Sequence, residues 1–248
     1  SLALQPDGKI LVAGDFTRFN GFATAGVARL RSDGSVDTSF RSAIVGFAAF
    51  DRIVTQPDGK ILVSGYTPSR YGKNGFLSRF NADGTPDSAF NLHLGTGFAP
   101  PYNSRDVYAL SVQPDGKILV GGFISTFNGS SAPTNLVRLN ADGTPDSAFN
   151  SHLGVGLDDI VQTLATEAGG KILVGGAFTQ AAGLSVPHGL VQLNADGTAD
   201  TSFNTTLGSG FNGAVSWLVV QSDGNPVIGG AFSSLDSAPI AVGMVRLL

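Results

Sequence analysis

The sequence has no cysteine. That excludes a disulfide framework and a thiolate metal site. It has one glutamate, Glu167, among 19 acidic residues, so any acid–base chemistry would fall to aspartate. Charged residues make up only 14%, the net charge is −4, and no basic run occurs. A nucleic-acid partner therefore has no electrostatic footprint to bind. No apolar run is long enough to span a bilayer, so membrane insertion is not expected. No segment keeps a helical period, and the 34 glycines argue against long helices. No serine sits in a nucleophile elbow. No signal peptide opens the chain, and Ser1 begins in mid-strand, so a longer natural chain is expected.

What is present is repetition. QPDGKILVGG (113–122) recurs in altered form at 5–14, 56–65, 167–176 and 221–230, with starts 51, 57, 54 and 54 residues apart. A fixed period marks a repeat architecture. A second motif, LVRLNADGTPDSAF (136–149), follows the first four copies, while the fifth reaches only MVRLL (244–248). Each unit reads as four strands. Strand A precedes the Pro-Asp-Gly turn and strand B, KILVGGF, follows it. Pro presets φ, and Asp and Gly tolerate the turn's dihedrals. Strand C is LVRLN, and a short strand D is expected around Ser147–Asn150. The pattern predicts an all-β fold: a five-bladed β-propeller of four-stranded antiparallel blades with an incomplete last blade. A single domain spans 1–248, with repeats near 1–49, 50–105, 106–158, 159–213 and 214–248.

The order PDGKILVGG, then F-x-x-x-N-G, then VRLNADG-x-x-D-x-x-F resembles the delta-60 repeat family of bacterial β-propellers, and more distantly NHL-type propeller repeats. The resemblance covers essentially the whole chain. It implies a secreted or cell-surface bacterial protein and brings no catalytic residues with it. The turn at Glu167–Gly170, Asn225-Pro226, and Gln192 in place of the strand C arginine depart from the pattern.

An up-and-down meander puts the short A–B and C–D turns on one face and the long, varied B–C and D–A loops on the other. Function is more often carried on variable loops. The turn aspartates are expected to make Asx turns and not a calcium loop, since the remaining ligand positions of such a loop are missing. The strand C arginines Arg29, Arg79, Arg138 and Arg246 read as a structural ladder, with a D-strand Asp of the same or the next blade as partner. The patterns LGTG (94–97), LGVG (153–156) and LGSG (207–210) are expected to be D–A crossings that need positive φ, with no helix to make them phosphate loops. His93, His152 and His188 lie on different loops, and neither a metal site nor any cofactor is expected.

Strand A carries the one informative contrast. Three residues before the hairpin lies a uniform core position: Leu2, Ile53, Leu110, Leu164 and Leu218. Four before lie Ser1, Arg52, Ala109, Thr163 and Trp217; five before lie Asp51, Tyr108, Gln162 and Ser216. Mixed chemistry at equivalent positions is not what a repeated core needs. With strand A innermost, Asp51, Arg52, Asp106, Tyr108, Asp159, Gln162 and Trp217 are expected to gather at the loop-face mouth of a central channel. Planar polar groups for hydroxyls and an aromatic for a ring face suit sugar recognition. The expected function is a non-catalytic binding or structural module, lectin-like or adhesin-like, with a glycan or another protein as partner. Two alternatives remain open. One is a glycoside hydrolase on Asp51, Asp106 and Asp159. The other is a pure spacer or assembly element with strand pairing at the Val245–Leu248 edge.

Overall fold

A computed structural model describes residues 1–40, 49–69, 72–99, 107–240 and 243–248. Five antiparallel three-stranded sheets follow one another along the chain. Their inner strands are Leu2–Leu4, Ala49–Thr55, Val107–Val112, Val161–Thr166 and Val215–Val220. The middle strands are Ile10–Ala13, Ile61–Ser69, Ile118–Gly122, Ile172–Gly176 and Pro226–Gly230. The outer strands are Val27–Leu30, Gly72–Phe80, Leu136–Leu139, Leu190–Leu193 and Met244–Arg246. These are the expected strands A, B and C. The inner strands pack side by side in chain order, first to fifth. The fifth and first make no comparable contact among the described residues.

The expected strand D is not a strand. Helices α1 (Ser88–Leu94), α2 (Ser147–Leu153) and α3 (Thr201–Thr206) occupy that position after the second, third and fourth sheets. The local chemistry explains the difference. Asp87, Asp146 and Asp200 are N-caps whose carboxylates accept from the amides of Phe90, Phe149 and Phe203. In α1 and α2 a Phe and a Leu four residues apart turn one buried face inward: Phe90 with Leu94, Phe149 with Leu153. The sheets are thus three-stranded and the fifth has the same three strands as the others. The glycine patterns do carry positive φ, at Gly95, Gly97, Gly154, Gly156, Gly208 and Gly210. They follow helices: Gly95 and Gly154 are C-caps.

The core lies between sheets. One cluster joins Ala109, Leu119 and Leu136 of the third sheet to Leu157, Val161 and Ile172 of the fourth. The other clusters bridge the remaining successive pairs in the same way. Middle strands lie between neighbours on both sides, so ILVGG at 118–122 and 172–176 is buried at every residue.

The ladder is present, with the Asp of the same sheet as partner. Arg29, Arg79 and Arg138 place Nε 2.9 Å from Asp37, Asp87 and Asp146. Each Nη1 then donates to a carbonyl of the following sheet's Ala-Asp-Gly turn: Ala82, Ala141 and Ala195. The guanidinium also stacks on Phe40, Phe90 and Phe149. Arg246 departs from this and pairs with Asp223 in the hairpin turn.

The two-faced arrangement of turns and loops also holds. The Pro-Asp-Gly turns pack on the second Asp-Gly turn of their own sheet: Gly8 on Ser32, Gly59 on Ala82 and Gly116 on Ala141. On the opposite face the B–C connections form hairpins of their own, such as Thr126–Phe127 with Ser130–Ser131. Phe98–Ala99, which leads out of the second sheet, adds to that hairpin. In the second sheet the expected B–C loop continues the ladder as far as Ser69 and Gly72. Among the described residues no helix is long and apolar enough to cross a membrane.

Candidate binding site at the inner-strand bulges

The inner strands of sheets two to five each carry a β-bulge. The pairing register slips between Phe50 and Arg52, Val107 and Ala109, Val161 and Thr163, and Val215 and Trp217. The skipped residues are Asp51, Tyr108, Gln162 and Ser216. The mixed position of the sequence is therefore a bulge position, where the shift of pairing register releases a residue from the core's demand for uniformity. The glycine ending the middle strand permits this in the fourth and fifth sheets. A Cβ on Gly176 would lie 2.0 Å from the Ile160 carbonyl, and one on Gly230 2.1 Å from that of Ala214. At Gly176 and Gly230 the missing Cβ lets the inner strand's backbone press close enough to bulge.

The two flanking positions have other duties. Ile53, Leu110 and Leu218 are buried and face the preceding sheet. The residue before each faces the following sheet. Ser1 Oγ accepts from the Ile53 amide at 3.2 Å, and Thr163 Oγ1 from the Leu218 amide at 3.2 Å. Ala109 is buried at that position. Arg52 is exposed, and its Nη1 donates to the Asp51 carbonyl at 3.1 Å. Trp217 is 43% exposed, and its indole lies over Gly229, where an added Cβ would come within 2.2 Å of the ring.

Of the expected site residues, Asp51, Tyr108 and Gln162 thus stand at equivalent bulges on three neighbouring strands, each half-buried. Arg52 and Trp217 adjoin the bulges of the second and fifth sheets. Asp159 precedes the fourth inner strand, exposed, and accepts from the Ile160 amide at 2.6 Å. Asp106 lies outside the described residues. Ser216 completes the row of bulges and was marked in the sequence only by its non-repeating chemistry.

The remaining polar motifs are absorbed by structure. Asp7, Asp58 and Asp115 each accept from the amide two residues on, as do Asp33, Asp83, Asp142 and Asp196. These are Asx turns. His93 and His152 donate from Nδ1 to the carbonyls of Asp142 and Asp196, at 2.8 and 2.9 Å, clasping the next sheet's turn. His188 does the same to Phe211. Among the described residues no three His, Cys, Asp or Glu side chains gather as a metal cluster. Asp158 is held below the usual carboxylate range: burial opposes this, but the Thr179 hydroxyl and the amides of Gln180 and Thr179 outweigh it. Glu167 is pushed up by burial; it sits on the turn face, accepting from Gln192 Nε2 at 2.6 Å. The bulge row offers a carboxylate, a phenol, an amide and a hydroxyl: a hydrogen-bonding array without a nucleophile–base pair.

Among families, the one described as "Domain of unknown function (DUF5122) beta-propeller" matches residues 5–40, 56–90, 113–149 and 170–203. No curated protein matches. Solved structures share the fold at low identity. The extracellular domain of a hybrid two component system from B. thetaiotaomicron is 16% identical, with a TM-score of 0.51 over 99% of this chain and 26% of that one. A calcium-binding protein, regucalcin, from Agrobacterium tumefaciens is 12% identical, with a TM-score of 0.51 over 99% of this chain and 73% of that one. A GH74 xyloglucanase from Xanthomonas campestris is 13% identical, with a TM-score of 0.53 over 99% of this chain and 35% of that one. This chain thus spans about a quarter of the first of these and a third of the last.

Proposed function

This chain belongs to the DUF5122 β-propeller family, and on that premise we propose that it is a non-catalytic binding module contributing five blades, near 1–49, 50–105, 106–158, 159–213 and 214–248. Its ligand site is the loop-side end of the inner strands: Asp51, Arg52, Tyr108, Gln162 and Trp217, with Asp106 and Asp159 beside them. One observation carries this reading. Equivalent bulges on neighbouring strands hold Asp51, Tyr108 and Gln162, three different hydrogen-bonding groups at a position where a structural role would repeat one residue. Bulges re-aim side chains and are over-represented next to functional sites. Carboxylate, amide and phenol side by side suit a hydroxyl-rich ligand, so the ligand class is carbohydrate, with an exposed glycan-bearing protein as its setting. A secreted or cell-surface location in a bacterium fits that ligand, and both the repeat resemblance and the extracellular domain among its fold neighbours support it.

The test is a glycan array with the intact chain, in calcium and in chelator. Binding is expected in both, and loss is expected with Asp51→Ala or Tyr108→Ala at unchanged melting temperature. An array that stays silent, or a hit that survives both variants, overturns the assignment.

A further inference from the structure

The junction between the second and third blades departs from its neighbours at one corner. Next to each bulge, an inner-strand residue stands opposite a middle-strand residue. The pairs are Arg52 with Ser64, Ala109 with Gly121, Thr163 with Gly175 and Trp217 with Gly229. Only in the second blade are both members polar.

Each inner strand is hydrogen-bonded to its middle strand along one edge, and its other edge is open within the sheet. Two amides on that open edge are capped by a hydroxyl of the preceding blade: Ile53 by Ser1 Oγ and Leu218 by Thr163 Oγ1, each at 3.2 Å. Leu110 holds the same register, opposite Val120 as Ile53 is opposite Val63 and Leu218 opposite Ile228. The residue placed to cap its amide is Arg52. A guanidinium carries donors and no acceptor, so it cannot. Arg52 and the Leu110 amide therefore bring N–H groups to one place, and neither supplies an acceptor. At the next junction the equivalent residue is Ala109, which is buried and carries no charge.

Two further observations mark the same corner. Ser64 is fully buried, and among the described residues its hydroxyl has no hydrogen-bond partner. An orphaned hydroxyl where later blades use glycine costs stability, and a ligand group that bonds it offsets that cost. Arg52 also lacks a counter-ion. Among the described residues the strand C arginines and the lysines that precede the middle strands each pair with an aspartate. Arg52 instead donates from Nη1 to the Asp51 main-chain carbonyl at 3.1 Å, and its side chain is exposed.

We propose that the carbohydrate taken up at the inner-strand bulges is acidic, and that its carboxylate seats at Arg52, the Leu110 amide and Ser64. This rests on the carbohydrate reading of the bulge row. One carboxylate oxygen takes the place that the Ser1 and Thr163 hydroxyls hold at other junctions and accepts from the Leu110 amide. The planar guanidinium fork matches a carboxylate better than a single point charge would. Ser64, directly across the ladder from Arg52, is the third donor. Asp51, Tyr108 and Gln162 are left for the sugar hydroxyls.

The test is an array of uronate and sialylated oligosaccharides, each beside its carboxyl-reduced neutral form, with sulfated glycans on the same surface. The intact chain is expected to bind an acid form about tenfold or more tighter than its neutral form, the value of a hydrogen bond to a charged group. Arg52→Thr is expected to bring the acid form down to the neutral form's affinity. The same substitution restores a hydroxyl where Thr163 has one, so its melting temperature is expected to rise as the Leu110 amide gains an acceptor. Equal binding of acid and neutral forms, or an acid preference that survives Arg52→Thr, overturns the acidic ligand and leaves the carbohydrate reading standing. Sulfated glycans bound tighter than every carboxylate overturn the choice of anion. A melting temperature that does not rise overturns the open amide on which the seat depends. A chain that binds no glycan of either kind overturns both this proposal and the carbohydrate reading.

Discussion

Arg138 of the third blade donates from Nη1 to the Ala195 carbonyl of the fourth, 2.6 Å away, while its Nε holds Asp146 of its own blade at 2.9 Å. Its guanidinium lies 3.9 Å above the Phe149 ring, on whose other contacts Gly197 of the fourth blade also rests. One side chain therefore joins a helix cap, a helix core residue and the neighbouring turn. Arg29 and Arg79 make the same clasp from the first and second blades.

Removing it leaves Asp146 buried without its guanidinium. Arg138→Ala should cost about 3–5 kcal/mol, the usual penalty for breaking a buried pair from one side. The same substitution at Arg246, whose pair with Asp223 is exposed, should be nearly silent. Urea denaturation of both variants checks the contrast.

The aspartates that follow the outer strands set the response to acid. Asp37 lies below its ordinary value through its bonds to Ser39 and Arg29, against the cost of burial. At Asp87 and Asp146 burial pulls upward, but Lys60 with Arg79, and Lys117 with Arg138, more than offset it. Asp200 is lowered furthest, by Lys171 and Ser202. A carboxyl whose folded value is depressed contributes stability that is fully present above its unfolded value, about 4. That contribution is lost as pH falls through the folded value. The urea midpoint should therefore fall steeply below about pH 4, and Asp146→Asn should lower it at neutral pH while flattening the acid limb. A midpoint that declines equally in both proteins would contradict this.

Glu167 has the opposite sign. Its folded value is raised by burial, so its contribution is present below the unfolded value and lost as pH rises through the folded one. Glu167→Gln keeps a carbonyl acceptor for Gln192 and removes the charge. It should raise the melting temperature slightly at pH 7 and leave it unchanged at pH 4, read by calorimetry.

Gly156 illustrates the loop face. Its φ is +87°, and a Cβ would fall 2.2 Å from the Thr134 carbonyl that pairs with Leu157. Gly156→Ala should cost at least about 1–3 kcal/mol in backbone strain alone. The same change at Gly129, where φ is +71° but the Cβ meets nothing, should cost less. Thermal melts of the two variants compare steric and conformational cost directly.

Strands A, B and C were legible because ILVGG and LVRL repeat with their turns, and the Asx turns because Asp-Gly does. The helix at Ser147–Leu153 was also written in the sequence, as a capping Asp, a Phe and Leu four apart, and a terminal Gly. It was misread because seven residues are too few to show a period, and the repeat itself invited a fourth strand. The bulges were visible only as an anomaly: Asp51, Tyr108, Gln162 and Ser216 break a pattern that Ile53, Leu110, Leu164 and Leu218 keep. Distance between blades was not legible at all, so His93 and His152 read as loop histidines although each holds the next blade's turn.

The clasps all point one way along the chain. Arg29 reaches blade two, Arg79 blade three and Arg138 blade four, and no arginine reaches from blade four to blade five, where Gln192 binds Glu167 instead. Among the described residues the clasps couple nearest neighbours, which makes folding a one-dimensional cooperative process, a sum of unit stabilities and junction energies. The weakest junction is then the last. Amide exchange should open the fifth blade first, as a separate sub-global unit, with the first three blades holding the slowest protons.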